Sequence, residues 1–402
     1  MTRVVALWFL LAGCSQGPTW HGDIAPIVER SCAGCHQFDE RTAPAAAARM
    51  LARVEAGEMP PYLPGPSSLR FANDLRLSPG EVALLRAWAH EPELGMPRHR
   101  VPKPMTVYET APYLPAGDRD EIHCFVLQPA PGSVVGYRWH GVGAHHYSAD
   151  VIAAAEVSRL PTRPDWDCTV ATSGVVAKAA LNSTAPGAPF KFPDGYGVEI
   201  APGDVLLLYA HLVPSEVRQP TRYGIEIDFS AMPIKPEWSL GWSAPAELLC
   251  PPSVAGEPQC SLADAQRRQV RGDGVPDPVE HVQRCGAQTF GPEQDGRFPI
   301  TSRCTTELPP GSHRLLGVRA HTHALGTRLR VSNGNRILLD IPRWDARFEQ
   351  TYAVEDSIEV SGAVQCQCEW DNGTGRGQPR RVLFGLGRED NMCVCSLELA
   401  AP

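Results

Sequence analysis

The run Val205 to Ala210, VLLLYA, decides how the body of this chain is read. It is a short β-type run, and similar ones follow: Gly224 to Phe229 (GIEIDF), Arg328 to Val331 (RLRV) and Ile358 to Val360 (IEV), broken by Pro, Gly and Asp. Short runs at close spacing predict antiparallel sandwiches rather than parallel-sheet α/β units. The 39 prolines and 36 glycines supply the turns such a body needs.

Outward from that run, composition changes near residue 95. The segment before it is Ala-rich and helical in pattern. Leu77 to Ala89 (LSPGEVALLRAWA) reads as an amphipathic helix with Ser78 as cap and Pro79 at the first helical position. A second boundary fits Pro233 to Ala246, where Pro233, Pro236, Trp238 and Trp242 cluster without periodicity. Residues 256–298 read as an irregular insertion held by cysteines. The expected fold class is multidomain: a small all-α domain over 14–95, then antiparallel β-sandwiches over 96–236 and 237–402. A length of 402 residues with 43% hydrophobic and 20% charged residues fits two or three cores. The net charge of −8 without a basic block gives no support to a nucleic-acid partner.

Cys32-Ala33-Gly34-Cys35-His36 has the C-x-x-C-H form of c-type haem attachment, in which two thiols bond the haem vinyls and the histidine ligates iron. The apolar entry Trp20 to Glu29 precedes it, and Met59-Pro60-Pro61 follows, so Met59 is the expected distal ligand, with Met50 as competitor. With the closing helix, CAGCH and MPP resemble the small cytochrome c domains of exported bacterial proteins. The resemblance implies one covalent haem c.

Thr2-Arg3, the apolar run Val4 to Leu11 and then Leu11-Ala12-Gly13-Cys14 read as a bacterial lipoprotein signal over 1–13, with Cys14 as the lipidated residue. An ordinary secretory signal is the alternative. Either reading places the chain in the bacterial cell envelope. Ser15 after Cys14 points to a membrane anchor on the periplasmic face of the outer membrane. Export agrees with the cysteines: thirteen, less Cys14, Cys32 and Cys35, leave ten, enough for five disulfides. Cys366-Gln367-Cys368 and Cys393-Val394-Cys395 each put two thiols on one face of a strand. One antiparallel register satisfies both Cys366 to Cys395 and Cys368 to Cys393; a CxC…CxC metal site is the alternative. The pairing of Cys250, Cys260, Cys285 and Cys304 is left open by the sequence.

Two groups of soft or borderline ligands stand out: His145, His146 and His211, and His321, His323 and Met392. An i, i+2 pair such as His321 and His323 projects both imidazoles to one side of a strand, a chelate geometry. His145 and His146 would diverge on a regular strand, so joint ligation needs a bulge, a strand end or different ring nitrogens. A thioether beside two imidazoles favours copper, because a soft donor stabilises Cu(I). His90, His99, His123, His140, His281 and His313 are read as surface or core residues.

The sequence GAHHYSAD (His145, His146), LLLYAHLVP (His211), RAHTHALG (His321, His323) and DNMC (Met392), in this order, resembles the copper type II, ascorbate-dependent monooxygenases over residues 105–400. That family includes dopamine β-hydroxylase and peptidylglycine α-hydroxylating monooxygenase. The resemblance implies two jelly-roll-like β-sandwich domains, each with one copper: His145, His146 and His211 hold the first, and His321, His323 and Met392 the second, catalytic one. It also implies disulfides joining Cys124 to Cys168 and Cys368 to Cys393. Arg319 matches a substrate-contacting arginine of the peptide-amidating members, but Val394 and Ser396 replace the polar and aromatic residues those members use nearby. The expected activity is hydroxylation of a C–H bond of a small molecule with O2. Because the second oxygen atom leaves as water, two external electrons are needed. A periplasmic or respiratory donor would supply them through the haem. The competing readings are a non-catalytic electron-transfer or copper-handling lipoprotein, and a cytochrome tethered to a β-sandwich binding module.

Overall fold

The computed structural model describes residues 17–32, 36, 38–61, 64–97, 104–117, 121–141, 144–168, 175–183, 189–212, 219–270, 285, 300–346, 349–373, 377–387 and 389–402, and of His145 the backbone alone. Cys14 and Cys35, predicted for lipidation and haem attachment, lie outside them, as does the side chain of His145.

The chain divides into two compact units, Met1–Pro60 with Arg76–Val101, and Pro61–Leu75 with Pro102–Pro402. The first holds a π turn, Trp20–Ile24, and helices Ala25–Ser31, Ala43–Glu55 and Pro79–His90. The last starts as its sequence predicts. The Ser78 hydroxyl accepts from the Glu81 amide, the Glu81 carboxylate accepts from the Ser78 amide, and Pro79 occupies the first turn. Trp20, Ile24, Val28, Leu85 and Trp88 form this unit's core.

In the second unit, a nine-stranded sheet runs Thr106–Glu109, Gly224–Ser230, Gly132–His140, Tyr196–Ile200, Lys235–Ser243, Val394–Ala400, His313–His321 and Tyr352–Val360, with Phe190–Lys191 beside Gly132–His140. A five-stranded sheet runs Asp165–Asp167, Glu121–Leu127, Val205–Leu212, Ala144–Ile152 and Ala177–Leu181. A four-stranded sheet runs Ile300–Glu307, Ala363–Trp370, Gly326–Asn333 and Arg336–Ile341.

Val205–Leu212 is the middle strand of its sheet, which is why its sequence is apolar without alternation. Leu206, Leu208, Ala210 and Leu212 enter one core, whereas Val205 and Leu207 enter another on the opposite face. His211 falls on the second face by the period of two.

One part of the predicted fold class is corrected. The chain is mostly β, 41% strand and 17% helix, with four α-helices among the described residues and no separate all-α cytochrome domain. The reason is visible in Pro61–Leu75, which belongs to the β unit. There Phe71 joins the hydrophobic core, the Gly65 amide donates to Asp340 O (2.6 Å) and the Ala72 amide to Ala353 O (2.9 Å). Two hydrophobic cores lie on either side of the predicted boundary at 236/237, one built mainly from residues 125–229 and the other mainly from 244–399. That boundary falls inside strand Lys235–Ser243, which pairs parallel with Tyr196–Ile200 on one side and antiparallel with Val394–Ala400 on the other, so one sheet crosses it.

The ten cysteines other than Cys14, Cys32 and Cys35 form five disulfides: Cys124–Cys168, Cys250–Cys260, Cys285–Cys304, Cys366–Cys395 and Cys368–Cys393. Cys124–Cys168 and the last two are the predicted pairs, and the last two form by a different geometry. Their strands belong to different sheets, so the bonds fasten the four-stranded sheet to the nine-stranded one rather than lying across one ladder.

Candidate metal centre

The donors sit where strands end. On the outer face of the five-stranded sheet, His146 and His211 are register partners, with a shift in register at 144/146 that turns His146 toward its neighbour. Their rings lie 5.0 Å apart. In the nine-stranded sheet, Val318 and Ala320 point into the core while Arg319 and His321 point to the other face. His321 ends its strand, and Thr322 and His323 continue into the turn closed by the Gly326 amide on His323 O (3.0 Å).

These residues meet in one place. The His321 ring lies 5.5 Å from that of His146 and 5.1 Å from that of His323. A cavity of about 230 Å³ is lined by His146, His211, His321, His323 and Met392, with Arg319 at its wall. Five of the six predicted donors, drawn from both predicted ligand groups, line one cavity. The sixth, His145, contributes its backbone to strand Ala144–Ile152.

His323 Nδ1 lies 2.9 Å from the Asp390 carbonyl. A carbonyl can only accept, so Nδ1 carries the proton and Nε2 keeps its lone pair. Thr322, fully buried, ties the histidine turn to the methionine segment. Its hydroxyl bonds the Met392 carbonyl and accepts from Trp370 Nε1 (2.8 Å), while Trp344 Nε1 donates to its carbonyl (3.0 Å).

Glu349 was not singled out by sequence. It is 2% exposed and paired with Arg319, and its Oε2 lies 2.8 Å from His321 Nδ1 and 3.4 Å from His146 Nδ1. Burial alone would push its carboxyl up. The Arg319 guanidinium, then His321 and His146, outweigh that and hold it well below the usual carboxylate range. A single acid between Phe348 and Gln350 belongs to no periodic pattern or motif, so nothing in the sequence marked it. The Oε2 to Nδ1 approach at His321 is not aligned as a hydrogen bond. Two buried donor atoms held close and off line, beside further imidazoles and a thioether, suit a cation held between them.

Of the histidines given no role, His123 pairs with Asp165 (2.9 Å) and His313 with Pro309 O (2.9 Å), while His140 Nε2 lies 3.0 Å from Glu109 without hydrogen-bond alignment and has, among the described residues, no further imidazole or thioether beside it.

In the N-terminal unit, Cys32 is half-buried where helix Ala25–Ser31 ends, and the His36 amide donates to Cys32 O (2.9 Å). The His36 ring stacks on Phe38, which lines a cavity of about 540 Å³ with Trp20, Ala25 and Val28. Met59 is not among the described residues that line it. The Cys366, Cys368 and Cys393 sulfurs also lie within 4.8 Å of one another, but these cysteines are joined in disulfides rather than in the alternative CxC metal site.

No family model and no curated protein matches the chain. Among solved structures it is similar to allantoicase, at 9% identity over 70% of this chain and 78% of that one, TM-score 0.19. Xanthan lyase from Paenibacillus matches at 9% identity over 77% of this chain and 28% of that one, TM-score 0.17. Procruciferin, the 11S globulin of Brassica napus, matches at 10% identity over 71% and 77%, TM-score 0.13. Likeness at these TM-scores carries no argument about fold or function.

Proposed function

We propose that the chain is a copper-dependent monooxygenase that hydroxylates a C–H bond of a small molecule. The observation that carries this reading is the meeting of His146, His211, His321, His323 and Met392 at one cavity. The resemblance of RAHTHALG and DNMC to the copper monooxygenases supplies the reaction class. Copper bound there would supply one-electron chemistry toward O2. His323, with Nδ1 committed to Asp390 O, offers Nε2; Met392 offers a soft sulfur that favours Cu(I). Glu349, whose Oε2 lies 2.8 Å from His321 Nδ1, would join that imidazole in holding the cation. Leu386 and Val394 add apolar wall to the cavity.

The same proposal places a covalent haem on Cys32, Cys35 and His36 as the entry point for electrons from an envelope donor. Five disulfides support an oxidising compartment, which agrees with export and a lipid on Cys14. Among the described residues no helix is long and apolar enough to cross a membrane.

A second reading, a copper carrier without turnover, draws on the cavity volume. About 230 Å³ lies below the roughly 300–1,000 Å³ of common small-molecule pockets. Substrate-dependent O2 uptake by the haem-matured, copper-loaded chain separates the two. The monooxygenase reading requires uptake that Met392→Ala abolishes while the haem spectrum persists. Copper binding without uptake across a screen of small organic substrates favours the carrier.

A further inference from the structure

The face of the nine-stranded sheet that carries His321 also carries a pair of buried acids. Glu237 and Ser239 project from Lys235–Ser243 opposite to Trp238 and Leu240, which pack on the core. Glu398 is the register partner of Ser239 on one side and of Gly317 on the other; Ser396 stands beside Arg319, and Val394 beside His321. A polar stripe thus leads along three adjacent strands from the acids to the histidine cavity. Gly317 lies four residues from His321, about 13 Å along the strand.

Glu237 is 4% exposed and Glu398 2%. The Ser239 hydroxyl lies 2.8 Å from Glu237 Oε1 and 2.6 Å from Glu398 Oε2. One hydroxyl has one hydrogen, so it can donate to only one of these oxygens and must accept at the other. Two ionised carboxylates would leave one short O···O contact with no proton in it. The amide of Asn182 donates to the second oxygen of Glu398, which therefore accepts twice and is the ionised partner. Glu237 Oε2 is buried without a hydrogen bond, tolerable for the carbonyl of a neutral acid and costly for a carboxylate.

We infer that Glu237 and Glu398 form a buried proton-binding site, with the proton on Glu237 donated to Ser239 and the Ser239 hydroxyl donated to Glu398, and that this site is coupled by charge to the histidine cavity.

Burial, and then the negative charge of Glu398, push the Glu237 carboxyl well above the usual carboxylate range, which agrees with that assignment. The charged or titratable groups facing the Glu237 and Glu398 pair are Tyr137 from Gly132–His140 and Arg319 from His313–His321. Tyr137 is fully buried, its hydroxyl donated to Asn182 O (2.8 Å), and burial holds it neutral. Asn182 is fixed there, because its carbonyl also accepts from Trp139 Nε1 (3.2 Å). Its side-chain oxygen faces Arg319 at 3.5 Å; Arg319 pairs with Glu349, and Glu349 touches His321. Arginine does not give up a proton, so this line carries charge coupling and not proton hopping. Glu398 and Glu349 exceed Arg319 by one negative charge. A cation entering the cavity makes the line more positive and weakens the hold on the proton, which leaves to buffer. The coupling rests on the cavity binding a cation; the proton site does not.

Infrared difference spectroscopy of the metal-free chain tests it, reading the carbonyl stretch of a protonated carboxyl near pH 7.5. Asp150 and Asp390, the other raised acids, reach only about 6 and are largely ionised by then. The band is expected in the wild type, absent in Glu237→Gln, whose amide can donate to Ser239 as the acid does, and reduced on saturation with Zn(II). No band in the wild type, or a band that survives in Glu237→Gln, overturns the proton site. A band unmoved by bound Zn(II) overturns the coupling. If Glu237→Gln does not fold, proton release on unfolding the wild type near pH 7.5, where Asp150 and Asp390 are largely ionised, replaces it: about one retained proton is expected, and none overturns the site. A chain that holds no Zn(II) refutes the cation site and the coupling with it, and the metal-free band decides the acid pair by itself.

Discussion

Thr322 sits between two imidazoles that face the cavity and faces away from it. It is fully buried, with two tryptophan N–H groups on its carbonyl and hydroxyl and the Met392 carbonyl on the hydroxyl. Thr322→Val keeps the shape and removes the hydroxyl, leaving the Trp370 N–H and the Met392 carbonyl short of a partner. Thermal or denaturant unfolding should show a loss of about 1–3 kcal/mol, and metal affinity should fall with it because His323 and Met392 lose their common anchor. Asp150 carries a pH prediction. Burial raises its carboxyl to about 6, partly offset by the Tyr209 hydroxyl (3.1 Å). Folded Asp150 keeps a proton that the unfolded chain releases near its ordinary value. Stability is therefore fully present at low pH and falls as pH rises toward about 6. Asp150→Asn should flatten that part of the stability profile; a profile unchanged in this window would refute the assignment. RAHTHALG and DNMC were singled out by their resemblance to the copper monooxygenases; spacing by itself offered only the His321 and His323 pair. Glu349 was not, because a lone acid acquires meaning only from the Arg319, His146 and His321 that folding brings to it.

At the scale of elements, the paired disulfides are the clearest case of a sequence reading that found the right partners by the wrong route. Alternation placed Cys366 with Cys368 and Cys393 with Cys395 on single faces, and that held. The ladder did not: Ala363–Trp370 and Val394–Ala400 lie in different sheets, and the bonds run between the layers. Period-two patterning says which face a residue takes and is silent on whether the facing strand is beside it or across the core. Replacing Cys366 and Cys395 together by Ala should cost about 2–4 kcal/mol in denaturant unfolding without changing the strand content seen by circular dichroism. Cys395 is the register partner of Ala320, next to His321, and lies three residues from Met392, so metal affinity should fall with the bond. Helix Pro79–His90 was legible to its first residue because its cap is local. Ser78→Ala should cost about 1 kcal/mol, read as a lower midpoint for the N-terminal unit.

For the whole molecule, the sequence called for an all-α domain and two separate sandwiches, and the chain forms a mostly β body in which one sheet crosses the expected boundary. Proline clustering at Pro233 and Pro236 looked like a linker, yet Pro236 enters a strand pair. Proline lacks a donor but keeps its carbonyl, so it is tolerated at the start of a strand such as Lys235–Ser243. That crossing strand lets donors from both expected domains reach one cavity, and the account stands on their acting together. Anaerobic Cu(I) titration against a chromogenic chelator, on the wild type, His146→Ala and His321→Ala, tests this most directly. The account predicts that either substitution weakens all of the copper held at the cavity, by roughly tenfold or more. Loss of one equivalent in each variant, with the remaining copper bound as tightly as in the wild type, would mean two independent centres and would contradict it.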